Sequence, residues 1–265
     1  MIAVFLKKTF WDGWDHLYFL ALANVGFLVL ATASITAFAA FGFTLPGLAA
    51  LAALGPAAGV HACACACALK RVADGEKPRA AAWLDGLRLS WRSGLMGGAA
   101  AGFAVAAAAM AVPYYLALGG LAGALALGAV LWAAATALLA LQWHPAVVAN
   151  LGPRGALREC FAILFGNIGF SLFLAAWNLG TIVLSFFAAF LAPGFAGTTL
   201  AAVEGLRMLL KRYDRLESAG AAGAAVAGAS VPWNELLADD IASMEGRSVK
   251  DAFLFGRKER RGASK

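Results

Sequence analysis

The sequence predicts an all-α, polytopic membrane helix bundle, and three observations carry that prediction. Of 265 residues, 62% are hydrophobic and only 14% charged, with a mean hydropathy of +0.77. A water-soluble domain of this size carries about 45–50% apolar and about 25% charged residues, so the surplus apolar surface needs lipid as its solvent. Second, six stretches are long and apolar enough to cross a hydrocarbon core about 30 Å thick at about 1.5 Å per residue. Third, the 21 Lys and Arg fall in the termini, in alternate connections between those stretches and, for Arg207, around the inner end of the sixth.

In chain order the predicted spans are 17–41, 47–69, 94–115, 117–141, 168–191 and 194–210. The last is short and carries Glu204, so it reads equally as a re-entrant or interfacial helix. Lys7 and Lys8 ahead of the first apolar run resemble a signal peptide, but the run is longer than an h-region of about 7–15 residues and follows Asp12 and Asp15. The connections "GFTLPG", "PYYLALGG" and "LAPG" contain no charged residue. Because cytoplasmic loops are enriched in Lys and Arg, the uncharged turns are assigned outside, which places both termini inside.

Each odd-numbered span is preceded by a segment with helical amphipathic spacing, giving three hairpins. Phe5, Leu6, Phe10, Trp14 and Leu17 precede the first span, and Trp83, Leu84, Leu87 and Trp91 the third, opposite Asp85, Arg88 and Arg92. Leu157, Phe161, Leu164 and Phe165 precede the fifth, opposite Arg154 and Arg158. Trp11, Trp14, Trp83, Trp91 and Trp143 fall in these inside segments, where indole rings favour headgroup depth. Trp83, Arg88 and Trp91 are also candidates for binding a partner.

Lipid gives helices no hydrophobic reason to associate, so packing rests on close contact and interhelical hydrogen bonds. Gly94, Gly98 and Gly102 repeat every fourth residue and give the third span a smooth stripe. The membrane domain is read as 1–217, followed by an Ala/Gly linker at 218–231 and a cytoplasmic tail at 232–265. In the tail, Trp233, Leu236, Leu237, Ile241 and Met244 recur at helical spacing, with Glu235, Asp239 and Asp240 on the other side. Trp233, Leu236 and Leu237 are candidate partner contacts. The basic end around Phe253, Leu254 and Phe255 suits an anionic leaflet, a protein partner or the chain's own loops.

"GVHACACACALKR" (59–71) poses the sharpest chemical question. At about 100° per residue, Cys63, Cys65 and Cys67 do not converge on one ion. Only His61/Cys65 and Cys63/Cys67 are i, i+4 neighbours, and a tetrahedral zinc site needs further ligands. His16 and His144 share that side of the membrane, but nothing in the sequence brings them near. Cysteine is a small apolar residue, so the segment reads as a packed helix with free thiols and no metal.

His61 is the better candidate for a ligand site. It lies near mid-membrane, five residues after Pro56, which frees the carbonyl of Ala52, and a broken helix with an ionisable side chain is how many transporter sites are built. Asn24, Asn178 and Glu204 are the other intramembrane polar candidates, the two Asn as helix cross-links and Glu204 with Arg207 and Lys211 as ion partners. No nucleotide loop, metalloprotease motif or nucleophile elbow occurs. The sequence therefore predicts no catalytic residue, no cofactor and no nucleic-acid partner.

The stretch "LGPAAGVHACACACALKRVADGEKPRAAAWLDGLRLSWRSGL" (54–95) resembles the YesL-like family of bacterial membrane proteins, a domain of unknown function. It shares a Gly-Pro-Ala in the second span, a basic loop and an aromatic-led amphipathic helix ahead of the third. "QWHPAVVANLGPRGALRECFAILFGN" (142–167) is similar to that family's second inside segment. The likeness covers roughly residues 5–215 and departs from the family in its Cys-Ala alternation. It implies a multi-pass protein of the bacterial inner membrane, serving as an accessory to carbohydrate uptake through a membrane transport complex or a cytoplasmic partner. The alternative is a small transporter or channel centred on His61.

Overall fold

The computed structural model describes residues 1–42, 44–188, 193–218 and 233–245. Its described elements are helices: α1 (Ile2–Asp15), α2 (Leu17–Phe41), α3 (Leu45–Ala73), α4 (Ala80–Leu118), α5 (Gly120–Leu141), α6 (His144–Leu151), α7 (Ala156–Gly166), α8 (Ile168–Phe187), α9 (Gly194–Ser218), α10 (Trp233–Leu236) and α11 (Ala238–Ser243). The chain divides into two compact units, residues 16–207 and residues 1–15 with 208–265.

In the larger unit, α2, α3, α4, α5 running on into α6, and α8 are long and apolar enough to cross a membrane. Their outward faces bear Phe103 (76% exposed), Trp132 (77%) and Phe187 (83%). Side chains of that size and exposure are at home in acyl chains, not in water, and the protein is a multi-pass helical membrane protein. The α4–α5 turn needs Gly119 and Gly120, both at positive φ (65° and 66°), where other residues are strained.

Two sequence expectations are corrected here. The amphipathic segment before the third span is no separate helix: α4 runs unbroken through 39 residues, because neither Gly94 nor Ser93 supplies a helix stop. The indole rings, moreover, mostly turn inward. Trp143 is fully buried and donates from Nε1 to Ser171 Oγ at 3.1 Å, Trp11 is buried, and Trp83 packs against a core cluster.

Among the described residues the α3–α4 pair is the most extensively packed, and glycine explains why. The predicted Gly94/Gly98/Gly102 stripe meets Gly55 and Gly59 of α3. A Cβ on Gly59 would lie 2.7 Å from Gly98 Cα, and one on Gly94 2.6 Å from Val60 Cα. The two backbones therefore touch, which is how helices gain dispersion energy where lipid offers no hydrophobic drive.

The second half of α3 is enclosed over most of its circumference, with Cys67 half-buried. Cys63, Ala64, Cys65, Ala66, Ala68 and Leu69 have no exposed surface. Cys63 faces His144 of α6, Cys65 joins Leu20 and Ala23 of α2 with Ala196 and Leu200 of α9, and Cys67 faces Gly86 of α4. A helix packed against helices on several sides needs short side chains over more than one stripe, and the Cys-Ala alternation supplies them. All four cysteines are free.

The predicted sixth span lies in α9, which is long enough but too charged to count among the apolar helices: Glu204, Arg207, Lys211, Arg212, Asp214, Arg215 and Glu217 run from its middle to its end. It doubles back along α8. Gly194 N–H donates to Ser185 Oγ at 2.7 Å near one end of α8, and Gly205 sits against Phe170 near the other. Its first turn meets α2 at Asn24, about 25 Å short of Phe41 by helix rise.

In the smaller unit, Trp11 of α1 packs with Met244, supported by Val4 and Trp14. Lys211 Nζ donates to Asp240 Oδ2 at 2.9 Å. The tail helix thus folds back onto the chain's own N-terminal helix. Asp240, expected on a solvent face, is buried in that ion pair, and Leu237 is fully buried. The linker from 219 onward and the basic end at Phe253, Leu254 and Phe255 lie outside the described residues.

Candidate functional site

His61 stands where α2, α3 and α4 come together. Its Nε2–H donates to the Ala23 carbonyl of α2 at 2.9 Å. Phe27 meets the ring edge-on at 4.5 Å between centroids, and Trp83 does so at 5.9 Å. Gly26 makes the space, since a Cβ there would fall 2.5 Å from the imidazole. Cys65 Sγ closes the group at 3.5 Å from Nε2.

Pro56 does not break the helix below it. α3 continues through the proline without interruption, so the expected pair of half-helices with exposed backbone ends does not form. Three preceding turns supply enough hydrogen bonds for the helix to tolerate one missing donor.

Asn24 closes a helix end. Its Oδ1 accepts from Ala196 N–H at 2.7 Å and its Nδ2 donates to Pro193 O at 2.8 Å, so a side chain of α2 caps the start of α9. Asn178 Nδ2 donates to Gln142 Oε1 at 3.4 Å, and Gln142 Nε2 donates to Ser171 O at 2.9 Å. Asn178 Oδ1 is buried without a partner among the described residues. Glu204 has no exposed surface and accepts from Arg207 Nε at 3.3 Å.

The residue that sequence reasoning passed over is His144. It is buried, with Cys63 Sγ 3.7 Å from Nδ1 and Ser93 Oγ 3.2 Å from Nε2. Whichever ring nitrogen holds the proton, one nitrogen donates and the other accepts from a hydroxyl or thiol. One imidazole therefore pins α6 to both α3 and α4. The expectation that nothing draws this histidine to the cysteine cluster is overturned. The available signal was Pro145: proline at the first turn marks a new helix, and that helix turns His144 inward.

An apolar cleft of about 490 Å³ lies beside this histidine, lined by Leu51, Leu54 and Ala58 of α3, Ala101 and Val105 of α4, and Leu141 of α5. His144 is the only titratable lining residue among those described. Since both its nitrogens are engaged, the cleft offers dispersion contacts and little else. Among the described residues, no group of three His, Cys, Asp or Glu side chains is placed to hold a metal ion.

Of the expected partner contacts, Arg88 and Trp91 are exposed, Trp233 and Leu236 are half-buried, and Trp83 and Leu237 belong to internal packing. Cys160 of α7 lies outside the candidate spans, and burial, with the neighbouring Glu159 carboxylate adding to it, pushes its thiol from 9.0 up to about 12. Maleimide or iodoacetamide at pH 8 is therefore expected to leave Cys160 unmodified in the folded protein and to modify it readily once denatured, read by peptide mass. The folded state holds that proton more tightly than the unfolded chain. Its stabilising contribution is thus complete below pH about 9 and lost as pH rises toward about 12.

Fold and site together define a multi-pass helical membrane protein whose intramembrane polar side chains are spent largely on binding its own helices to one another. The chain matches no family model, no curated protein and no solved structure.

Proposed function

We propose that this protein is a non-enzymatic accessory component of a bacterial solute-uptake system, carbohydrate uptake in particular, held in the cytoplasmic membrane with both termini inside. The resemblance of residues 54–95 and 142–167 to the YesL-like family supports the association and the compartment. The return of α9 along α8 supports an even number of crossings, with α9 as a polar sixth pass.

One observation carries the accessory role over the transporter. His61, Asn24, His144 and Glu204 each bond to a backbone or side-chain group of the same chain, and the cleft beside His144 is apolar. A solute path needs polar groups that exchange partners, whereas these hold helices in register. The test is twofold. The full chain, affinity-purified after crosslinking in native membranes, is expected to bring down a transport permease in stoichiometric amount. Alone in liposomes it is expected to pass no sugar. Flux by the purified chain that disappears in His61→Ala would reverse the assignment and make this a transporter.

A further inference from the structure

We infer that the exposed face of α4 around Arg88, Trp91 and Arg92 is a binding site for the headgroup of an anionic glycerophospholipid. The placement follows from the helix being unbroken. Phe103 and Met110, 76% and 72% exposed, mark the face of α4 that meets acyl chains. Followed back by helical turns, that face passes Ala99 to Arg92 and Arg88, with Leu95, Trp91 and Leu84 on its flank, all exposed. Phe103 and Arg92 are eleven residues apart, or about 16 Å by helix rise. The apolar run begins at Gly94, so both guanidinium groups stand directly below the hydrocarbon edge, at the depth of lipid phosphates.

Their surroundings suit a phosphodiester. The Arg92 guanidinium lies over the Trp91 ring, 5.1 Å from its centroid, a contact that restrains the fork while Arg92 stays exposed. Arg88 stands one turn away on the same face, so two cations flank an indole that itself prefers the headgroup layer. Asp85, also exposed, precedes them by one and two turns and offsets part of their charge. Of the other predicted inside tryptophans, Trp11, Trp83 and Trp143 are packed into protein, and Trp14 is half-buried and stacked on Phe10. Trp91 is thus an exposed indole flanked by arginines on a lipid-facing helix.

The site is tested with the full chain in nanodiscs holding equal phosphatidylglycerol and phosphatidylcholine, released for native mass spectrometry. Phosphatidylglycerol is expected to remain bound in preference to phosphatidylcholine. Arg88→Gln with Arg92→Gln is expected to lower that preference on the order of tenfold, as two basic residues near a charged surface would supply, while Asp85→Asn raises it. Arg154→Gln with Arg158→Gln, which alters charge on a different inside segment, is expected to leave it unchanged. Circular dichroism of each variant verifies that the helices persist. Equal retention of the two lipids by the native chain would overturn the site. So would equal loss in the Arg154/Arg158 variant, which indicates net charge alone, or displacement of the lipid by millimolar inorganic phosphate.

Discussion

Alanine at Gly98 is expected to unfold the bundle, and alanine at Gly102, one turn further along the same stripe, to leave it intact. A Cβ at Gly98 would lie 2.8 Å from the carbonyl carbon of Gly55 and 3.0 Å from Gly59 Cα, with the Gly55 oxygen nearer still. All three are backbone atoms of a long helix and have no rotamer to adopt. The helices must separate, and the contact they lose is the largest between helices among the described residues. Overpacking a well-packed core costs about 1–3 kcal/mol, and here the lost van der Waals contact along α3 adds to it. At Gly102 the nearest atom is Gly55 Cα at 3.7 Å, an ordinary contact. Thermal unfolding of both variants in detergent decides the matter: a Gly98→Ala protein as stable as Gly102→Ala would show that α3 and α4 do not touch as described.

A similar contrast separates the two asparagines. Asn24→Leu is expected to cost about 1–3 kcal/mol for each of two backbone groups left unpaired, the N–H of Ala196 and the carbonyl of Pro193. Neither has water to turn to, so α9 loses its docking on α2. Asn178→Leu removes one long bond of 3.4 Å together with an oxygen that has no partner among the described residues, and is expected to be neutral or mildly stabilising. Unfolding by denaturing detergent, followed by loss of helicity, distinguishes them. Equal sensitivity of the two variants would remove the cap from the account.

Most of the architecture was legible because lipid enforces it. Spans must be long, apolar and helical, and the predicted 17–41 coincides with α2 while 117–141 differs from α5 only at its start. What composition did not reveal was pairing. Gly94, Gly98 and Gly102 announced a smooth surface but not its partner, although Gly55 and Gly59 carry the same four-residue spacing in plain view. The cysteine segment packs against other helices, and which helices depends on α6 and α9, which lie far along the chain. His61 illustrates the same difficulty from the other direction. A histidine beside a proline in an apolar span has the composition of a transport site, and only the Ala23 carbonyl opposite shows where its proton goes.

α9 failed as an apolar span for a reason that residue counts obscure. Glu204 and Arg207 are intolerable on a helix facing lipid, but most of α9 between Ala196 and Leu209 is walled off by protein. Hydropathy scales score the solvent a helix would meet alone, and α9 does not meet it.

The enclosure of the Cys-Ala half of α3 has a consequence for biogenesis. α3 leaves the ribosome early, while two of its covering surfaces, α6 and α9, are synthesised roughly a hundred residues later. Until they arrive, a nascent chain keeps Cys63 and Cys65 against acyl chains, with no bulky side chains there to hold neighbouring helices in place. Assembly is therefore sealed from the carboxyl-terminal side, and a product stalled before residue 194 would present quality-control proteases with an unfinished seam.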